Sequence, residues 1–152
     1  MAALSCGILL HRSGAGGVEV FLGHMGGPFW AKKDAGAWSV PKGAPLEGES
    51  ELKAALREFD EEIGRPAPAA EYSRLGEFRQ RSGKVVIVFG AATTDDVRFV
   101  ASNSFELEWP PRSGKLESFP EIDRAEWMPL AAAAERMVAG QRAMLDALAT
   151  AG

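Results

Sequence analysis

Four carboxylates crowd into five positions of the stretch REFDEEIG, Arg57 to Gly64: Glu58, Asp60, Glu61 and Glu62. The stretch closes on a glycine suited to end a helix. A helix C-terminus is the negative end of the macrodipole, where each acid costs from a few tenths to about 1 kcal/mol. Glu61 and Glu62 also follow Glu58 at helical i+3 and i+4 spacing, where like charges stand side by side and repel. Acids placed against both rules have two readings. One is a solvated surface, the usual fate of a charge run. The other is chemistry: a hard divalent cation such as Mg²⁺ takes oxygen ligands, so carboxylates that repel in its absence become a site in its presence.

The element carrying these acids reads as a helix from Ser50 to Ile63. Ser50 is a suitable N-cap, Gly64 a suitable left-handed C′ residue, and Pro66 stops propagation just beyond. Leu52, Leu56, Phe59 and Ile63 repeat as a buried stripe, and at about 100° per residue Glu58, Glu61 and Glu62 cluster roughly 140° from its centre. The spacing predicts a helix anchored on one side and charged on the other. Upstream, SCGILLHR and VEVFLGHM are apolar, β-branched runs joined by SGAGG, a hairpin pattern, and the loop GGPFWAKKDAG leads into AWSVPKG. Downstream, EYSRLGEFRQR and KVVIVFGAAT read as strands around the turn SG, and RAEWMPL as a short strand entering an alanine-rich helical tail. Asp95 to Asp123 holds little regular pattern, and irregular connections of that length tend to be functional or disordered. Helices mixed with hairpin-type strands predict an α/β sandwich.

With 152 residues, 46% hydrophobic and 25% charged, the chain has the size and composition of one globular domain, expected to span 1–152 without repeat or linker. It has no apolar run near the roughly eighteen residues of a membrane span, and its start lacks the basic n-region and cleavage pattern of a signal peptide. A soluble, cytoplasmic protein is expected. The single Cys6 excludes an internal disulfide and a multi-cysteine zinc site, and reads as a small core residue of the first strand. A net charge of −4 offers no general attraction to nucleic acid or anionic membrane. An anionic substrate would need local positive charge. Lys42, beside Gly43, and Lys84 are the candidates for binding it, with Lys32, Lys33, Arg79 and Arg81 on neighbouring segments.

Counting from Gly43, five residues lead to Glu49, seven more to REFDEE, and one further residue to Gly64. The segment Gly43 to Arg65 resembles the signature of the Nudix hydrolases: glycine, five residues, glutamate, seven residues, Arg-Glu-apolar-any-Glu-Glu-any-Gly and an aliphatic residue, the last replaced here by Arg65. That resemblance implies an α/β/α sandwich with a mixed β-sheet and a loop-helix metal site. Glu58 and Glu62, one turn apart, are read as direct Mg²⁺ ligands, with Mn²⁺ as a substitute, and Glu61 as a further ligand or the holder of a water on that metal. By resemblance the main-chain carbonyl of Gly43 is also a ligand, and Glu49 and Arg57 form an internal ion pair steadying the loop against the helix. Asp60 falls at the variable position and reads as a solvated acid.

Nudix enzymes resemble one another in cutting a phosphoanhydride of a nucleoside diphosphate linked to another group, with clustered metal activating water and neutralising phosphate. The segments WSVPKG and PEIDRAEW look like the diadenosine-tetraphosphate hydrolase branch, in which a late glutamate stands six residues before a tryptophan, the spacing of Glu121 and Trp127. Glu121 is thereby a ligand or base candidate, and Glu61, Glu62 and Glu121 are the catalytic set. The tyrosine expected to stack on adenine in that branch is replaced near Val88 or Phe89. The loop around GGPFW and the segment FELEWPPRSGKLESFP resemble instead a bacterial group of predicted nucleotide pyrophosphohydrolases. Trp30 and Trp109 are candidates to stack on a base. The leading expectation is a dinucleoside polyphosphate such as diadenosine tetraphosphate. The alternatives are another Nudix substrate, such as a nucleoside triphosphate, ADP-ribose, capped RNA or an inositol pyrophosphate, or a nucleotide sensor that cuts nothing.

Overall fold

The structure, a computed structural model, describes residues 3–151; Met1, Ala2 and Gly152, the ends of the 1–152 single-domain expectation, lie outside them. Strands β1 (Leu4–Gly14) and β2 (Gly17–Met25) form the expected hairpin, with Gly14 opposite Gly17 and Gly17 taking the positive φ of 113° that closes it. Period-two alternation sorts their side chains. Cys6, Ile8, Leu10 and Phe21 enter one core, while Leu9, Val20 and Leu22 enter the other.

The two strands stay paired only near their turn. Beyond His11 and Val20 they diverge, and residues 38–43 fill the fork, with β3 (Trp38–Ser39) on β2 and β4 (Lys42–Gly43) opposite Cys6 and Gly7 of β1. Gly7 permits this, since a Cβ there would sit 2.9 Å from Pro41 O. Gln141 locks the insertion from the other side, its Oε1 accepting from Val40 N at 3.1 Å and its Nε2 donating to Ser39 Oγ at 2.9 Å.

β5 (Ser73–Arg79) and β6 (Val85–Ala92) flank β1 on its other edge, β6 parallel to β1 and β5 antiparallel to β6. The strand expected at RAEWMPL is β9 (Ile122–Pro129), antiparallel to β2. The result is a mixed sheet with a hydrophobic core on each face. Helix α1 (Glu51–Ile63) covers one face. The alanine-rich tail covers the other as α2 (Leu130–Arg136), a 3-10 turn at Ala139–Gln141 and α3 (Ala143–Ala151). None of these helices is long and apolar enough to cross a membrane.

Two expectations are corrected. The segment Asp95 to Asp123 contains an antiparallel ribbon, β7 (Ser104–Glu108) and β8 (Leu116–Pro120), with Phe105 opposite Phe119. Ser104, Glu106 and Glu108 of β7 and Leu116, Glu117, Ser118 and Pro120 of β8 are exposed, so the ribbon lacks the apolar density of a core strand. The buried stripe of α1 is also shifted: Ala54, Ala55, Phe59 and Ile63 are fully buried, whereas Leu52 and Leu56 are only partly so. Measured from Ala55, Glu62 and Glu58 lie about 20° and 60° round the helix. They border the buried face, and the expected separation into an anchored side and a charged side holds only for Asp60 and Glu61.

Candidate active site

Helix α1 is capped as its sequence requires. Ser50 Oγ accepts from Lys53 N at 3.2 Å, and Gly64, at φ 89°, donates its N–H to Asp60 O at 2.8 Å. Two further carbonyls of the last turn are taken by the incoming segment before β7. Val100 N donates to Ile63 O at 2.8 Å and Asn103 N to Glu61 O at 2.9 Å. Asn103 O then accepts from Glu121 N at 2.9 Å, so the late glutamate is tied by two main-chain hydrogen bonds to the acidic end of α1.

The inward turn of Glu58 and Glu62 brings them to β4. Gly43 has no side chain, and the carboxylate of Glu58 fills the space where a Cβ would stand. Glu62 Oε1 accepts from Lys42 N at 3.0 Å. Glu58, Glu61, Glu62 and Glu121 line one cavity of about 370 Å³ together with Gly43, Lys42, Lys84 and Asn103. Burial, aided by the neighbouring Glu58 and Glu121, pushes the Glu62 carboxyl far above the usual carboxylate range. Burial also raises Glu58, against the pull of Arg57. Lys42 is pushed below the ordinary lysine range by burial and by Lys84 beside it.

Arg57 organises the rim. Its Nε and Nη2 donate to the two carboxylate oxygens of Glu49, each at 2.9 Å, and Nη2 also reaches Ala44 O at 3.0 Å. Its Nη1 donates to Glu58 at 2.9 Å and Glu61 at 3.2 Å. The Arg57 fork and the N–H of Leu46 hold Glu49 down at about 2. This knot fixes the loop after Gly43 to the helix.

Among the described residues no three acid, His or Cys side chains stand ready as a cation cage. Arg57 and the Lys42 N–H hold the carboxylates instead. The donor set nevertheless fits a hard divalent cation: its side-chain ligands are all oxygens, and the raised proton affinity of Glu58 and Glu62 marks crowded, desolvated carboxylates that a cation would keep ionised.

Of the residues singled out in the sequence, Lys32, Lys33, Arg79, Arg81, Trp30 and Trp109 do not line this cavity. Trp30 packs partly against the core on the sheet face covered by the C-terminal helices, with Lys33 Nζ 5.4 Å from its ring centre. Trp109 meets Phe29. Val88 and Phe89, the positions in place of the expected base-stacking tyrosine, are closed inside the two cores. Asn103 escaped the sequence reading, since its role depends on a main-chain bond to a distant helix and nothing in its neighbourhood signals it.

A family model described as the NUDIX domain matches residues 2–148. The mRNA-decapping protein g5R of African swine fever virus (isolate Warthog/Namibia/Wart80/1980) is 32% identical over 98 residues, which are 62% of this chain and 38% of that protein. The chain thus spans under two fifths of that relative. A binary complex of the C. elegans Ap4A hydrolase superposes with a TM-score of 0.66 at 21% identity, over 96% of each chain. The NUDIX domain of Shewanella oneidensis NrtR, solved with ADP ribose, gives 0.65 at 18% identity, over 99% of this chain and 88% of that one. At these identities the structural likeness establishes the shared mixed α/β fold.

Proposed function

Because the chain belongs to the Nudix family of hydrolases, we propose that it is a Mg²⁺-dependent pyrophosphohydrolase that cleaves a phosphoanhydride of a nucleoside diphosphate linked to another group, with a dinucleoside polyphosphate such as diadenosine tetraphosphate as substrate. The observation that carries this reading is the meeting of four carboxylates and two lysines in one cavity. Glu58, Glu62 and the Gly43 carbonyl would hold the cation, with Glu61 as a further ligand. When bound, the cation neutralises phosphate oxygens and makes water a better nucleophile. Lys42 and Lys84 bind the phosphate oxygens. Glu121 orients the attacking water and takes its proton, from a main chain anchored to α1 through Asn103. Arg57 and Glu49 keep the loop after Gly43 in register with the helix.

The dinucleotide reading is supported by the late glutamate and its tryptophan, Glu121 and Trp127, and by full-length likeness in fold to an Ap4A hydrolase. In the same reading the chain acts as one domain in the cytoplasm, where the buried thiol of Cys6 would stay reduced. A second reading, cleavage at a capped RNA 5′ end, is favoured by the likeness to the viral decapping protein. Incubation with Mg²⁺ and a panel of diadenosine tetraphosphate, a nucleoside triphosphate, ADP-ribose, capped RNA and an inositol pyrophosphate, with products resolved by ion-exchange chromatography, tests both. Fastest turnover of diadenosine tetraphosphate, stopped by EDTA, is expected. Turnover of capped RNA alone would transfer the substrate to the second reading, and no turnover of any compound would leave a sensor.

A further inference from the structure

The chain enters β9 from Glu121 through a fault in its pairing. Gly23 stands opposite Ala125 and His24 opposite Arg124, but Met25 stands opposite Ile122, so Asp123 is an extra residue with no partner on β2. Such a bulge shifts the period-two alternation of a strand by one place. The shift shows in the packing. Ala125 and Trp127 pack toward the core under α1, and Ile122 joins their side: a Cβ on Gly23, opposite Ala125, would stand 3.0 Å from Ile122 Cδ1. Unbroken alternation would put Ile122 on the other face, with Arg124 and Glu126. Glu121, one residue earlier, emerges in the shifted phase.

The side chains show what holds the bulge. Asp123 and Arg124 are consecutive, yet both turn to the face of His24 and Trp38. Asp123 Oδ1 lies 2.8 Å from His24 Nδ1, and the Arg124 guanidinium lies 5.2 Å from the Trp38 ring centre. The His24 ring is fully buried and meets Trp38 at 76°, with ring centres 5.2 Å apart. Its Nε2 donates to Lys33 O at 2.7 Å. A carbonyl only accepts, so Nε2 has its own proton, and Nδ1 and Asp123 Oδ1 share a second one. With both nitrogens engaged the ring cannot turn. Neither His24 nor Asp123 lines the carboxylate cavity.

On the near side of the bulge the backbone is fixed in the shifted phase. Ile122 N donates to Ser102 Oγ at 3.1 Å, while Glu121 N donates to Asn103 O and Gly26 N to Glu121 O, each at 2.9 Å. Loss of the bulge would turn the Glu121 side chain to the opposite face.

We propose that His24 is a positioning residue: by gripping Asp123 as the extra residue of the bulge, it fixes the phase in which β9 begins and so places the Glu121 carboxylate in the cavity. The role of Glu121 itself rests on the hydrolase reading.

The test compares Asp123→Asn, Asp123→Ala and His24→Phe, each alone and combined with Glu121→Gln. Steady-state kinetics use Mg²⁺ and the panel compound that the wild type turns over fastest, and amide exchange is followed at residues 121–122. Asn keeps the grip, since its Nδ2 can donate to Nδ1 of a ring protonated at Nε2. Asp123→Asn is therefore expected to keep the wild-type kcat and exchange. Asp123→Ala and His24→Phe should lower kcat by about ten- to a hundredfold with KM unchanged, the cost of a misplacement of about 1 Å. In the Glu121→Gln background neither should lower it further, because the group they act through is already gone. Both should speed exchange at 121–122. Unfolding temperatures would verify folding, and should His24→Phe not fold, Asp123→Ala, at a half-buried position, decides alone. Wild-type kcat in Asp123→Ala, equal losses with and without Glu121, or Asp123→Asn as damaging as Asp123→Ala would overturn the role. If the wild type turns over no panel compound, the hydrolase reading fails by itself. Exchange at 121–122 then still decides, and rates unchanged in Asp123→Ala would overturn the positioning.

Discussion

The carboxylate of Glu58 occupies the volume that any side chain at Gly43 would need. The relationship joins β4, inserted in the fork of the first hairpin, to the inward edge of α1. It makes Gly43 a spatial requirement of the acid cluster, in addition to any contribution of its carbonyl.

Gly43→Ala is therefore expected to push Glu58 out of place. A displacement of about 1 Å at a catalytic centre can cost on the order of a hundredfold in rate, whereas overpacking costs about 1–3 kcal/mol of stability. Steady-state kinetics with thermal unfolding should give a large fall in kcat and a modest fall in Tm. Wild-type kcat in this variant would remove Glu58 from the machinery.

Glu62→Gln should reduce kcat by more than about a hundredfold, since even outer-shell partners of metal ligands cost ten- to a hundredfold. The metal-free protein should be no less stable, because Gln keeps an acceptor for Lys42 N and cannot incur the cost of ionising a buried carboxylate. The pH dependence follows in sign. Burial first, then the neighbouring acids, raises the folded-state pKa of Glu62 above its unfolded value, so the native state binds more protons over that interval. Its stability in EDTA should fall as pH rises from the ordinary glutamate range through neutrality. Chemical denaturation across that range should give a flatter profile for the variant. Added Mg²⁺ should raise the wild-type Tm by mass action, and raise that of Glu62→Gln less.

Glu121→Gln should lower kcat and leave KM nearly constant, because the side chain acts on the attacking water and holds no part of the base. The main-chain bonds from Glu121 N to Asn103 O and from Gly26 N to Glu121 O persist in the variant, so its fold should survive. Unchanged kcat would transfer the proton-accepting role to Glu61.

Arg57→Lys keeps the charge and loses the fork. The guanidinium serves Glu49 in bidentate fashion while also reaching Ala44 O, Glu58 and Glu61, and an ammonium cannot span that set. Loss of charged hydrogen bonds should cost about 1–3 kcal/mol in denaturant unfolding. Faster amide exchange in 44–49 should accompany a drop in kcat. A variant matching the wild type in both would reduce the knot to a surface ion pair.

The sequence alone determined the local elements and the kind of chemistry. Ser50 and Gly64 end α1 because capping is decided by a residue and its near neighbours, and alternation in the first two strands sorts each side chain to a face. The spacing from Gly43 to Gly64 carried the resemblance to the Nudix family, and acids that penalise their own helix gave that resemblance a physical reason in cation binding. The tertiary structure decided which acids point inward. The core selected Ala55 and Phe59 as the centre of the buried face, and that rotation carried Glu58 and Glu62 against β4. It likewise decided the β7–β8 ribbon, the approach of Glu121 through Asn103, and the bulge at Asp123 held by His24. These depend on pairings between residues that are remote in the chain, and strand register and loop docking are set by the whole packed sheet, which no local pattern contains.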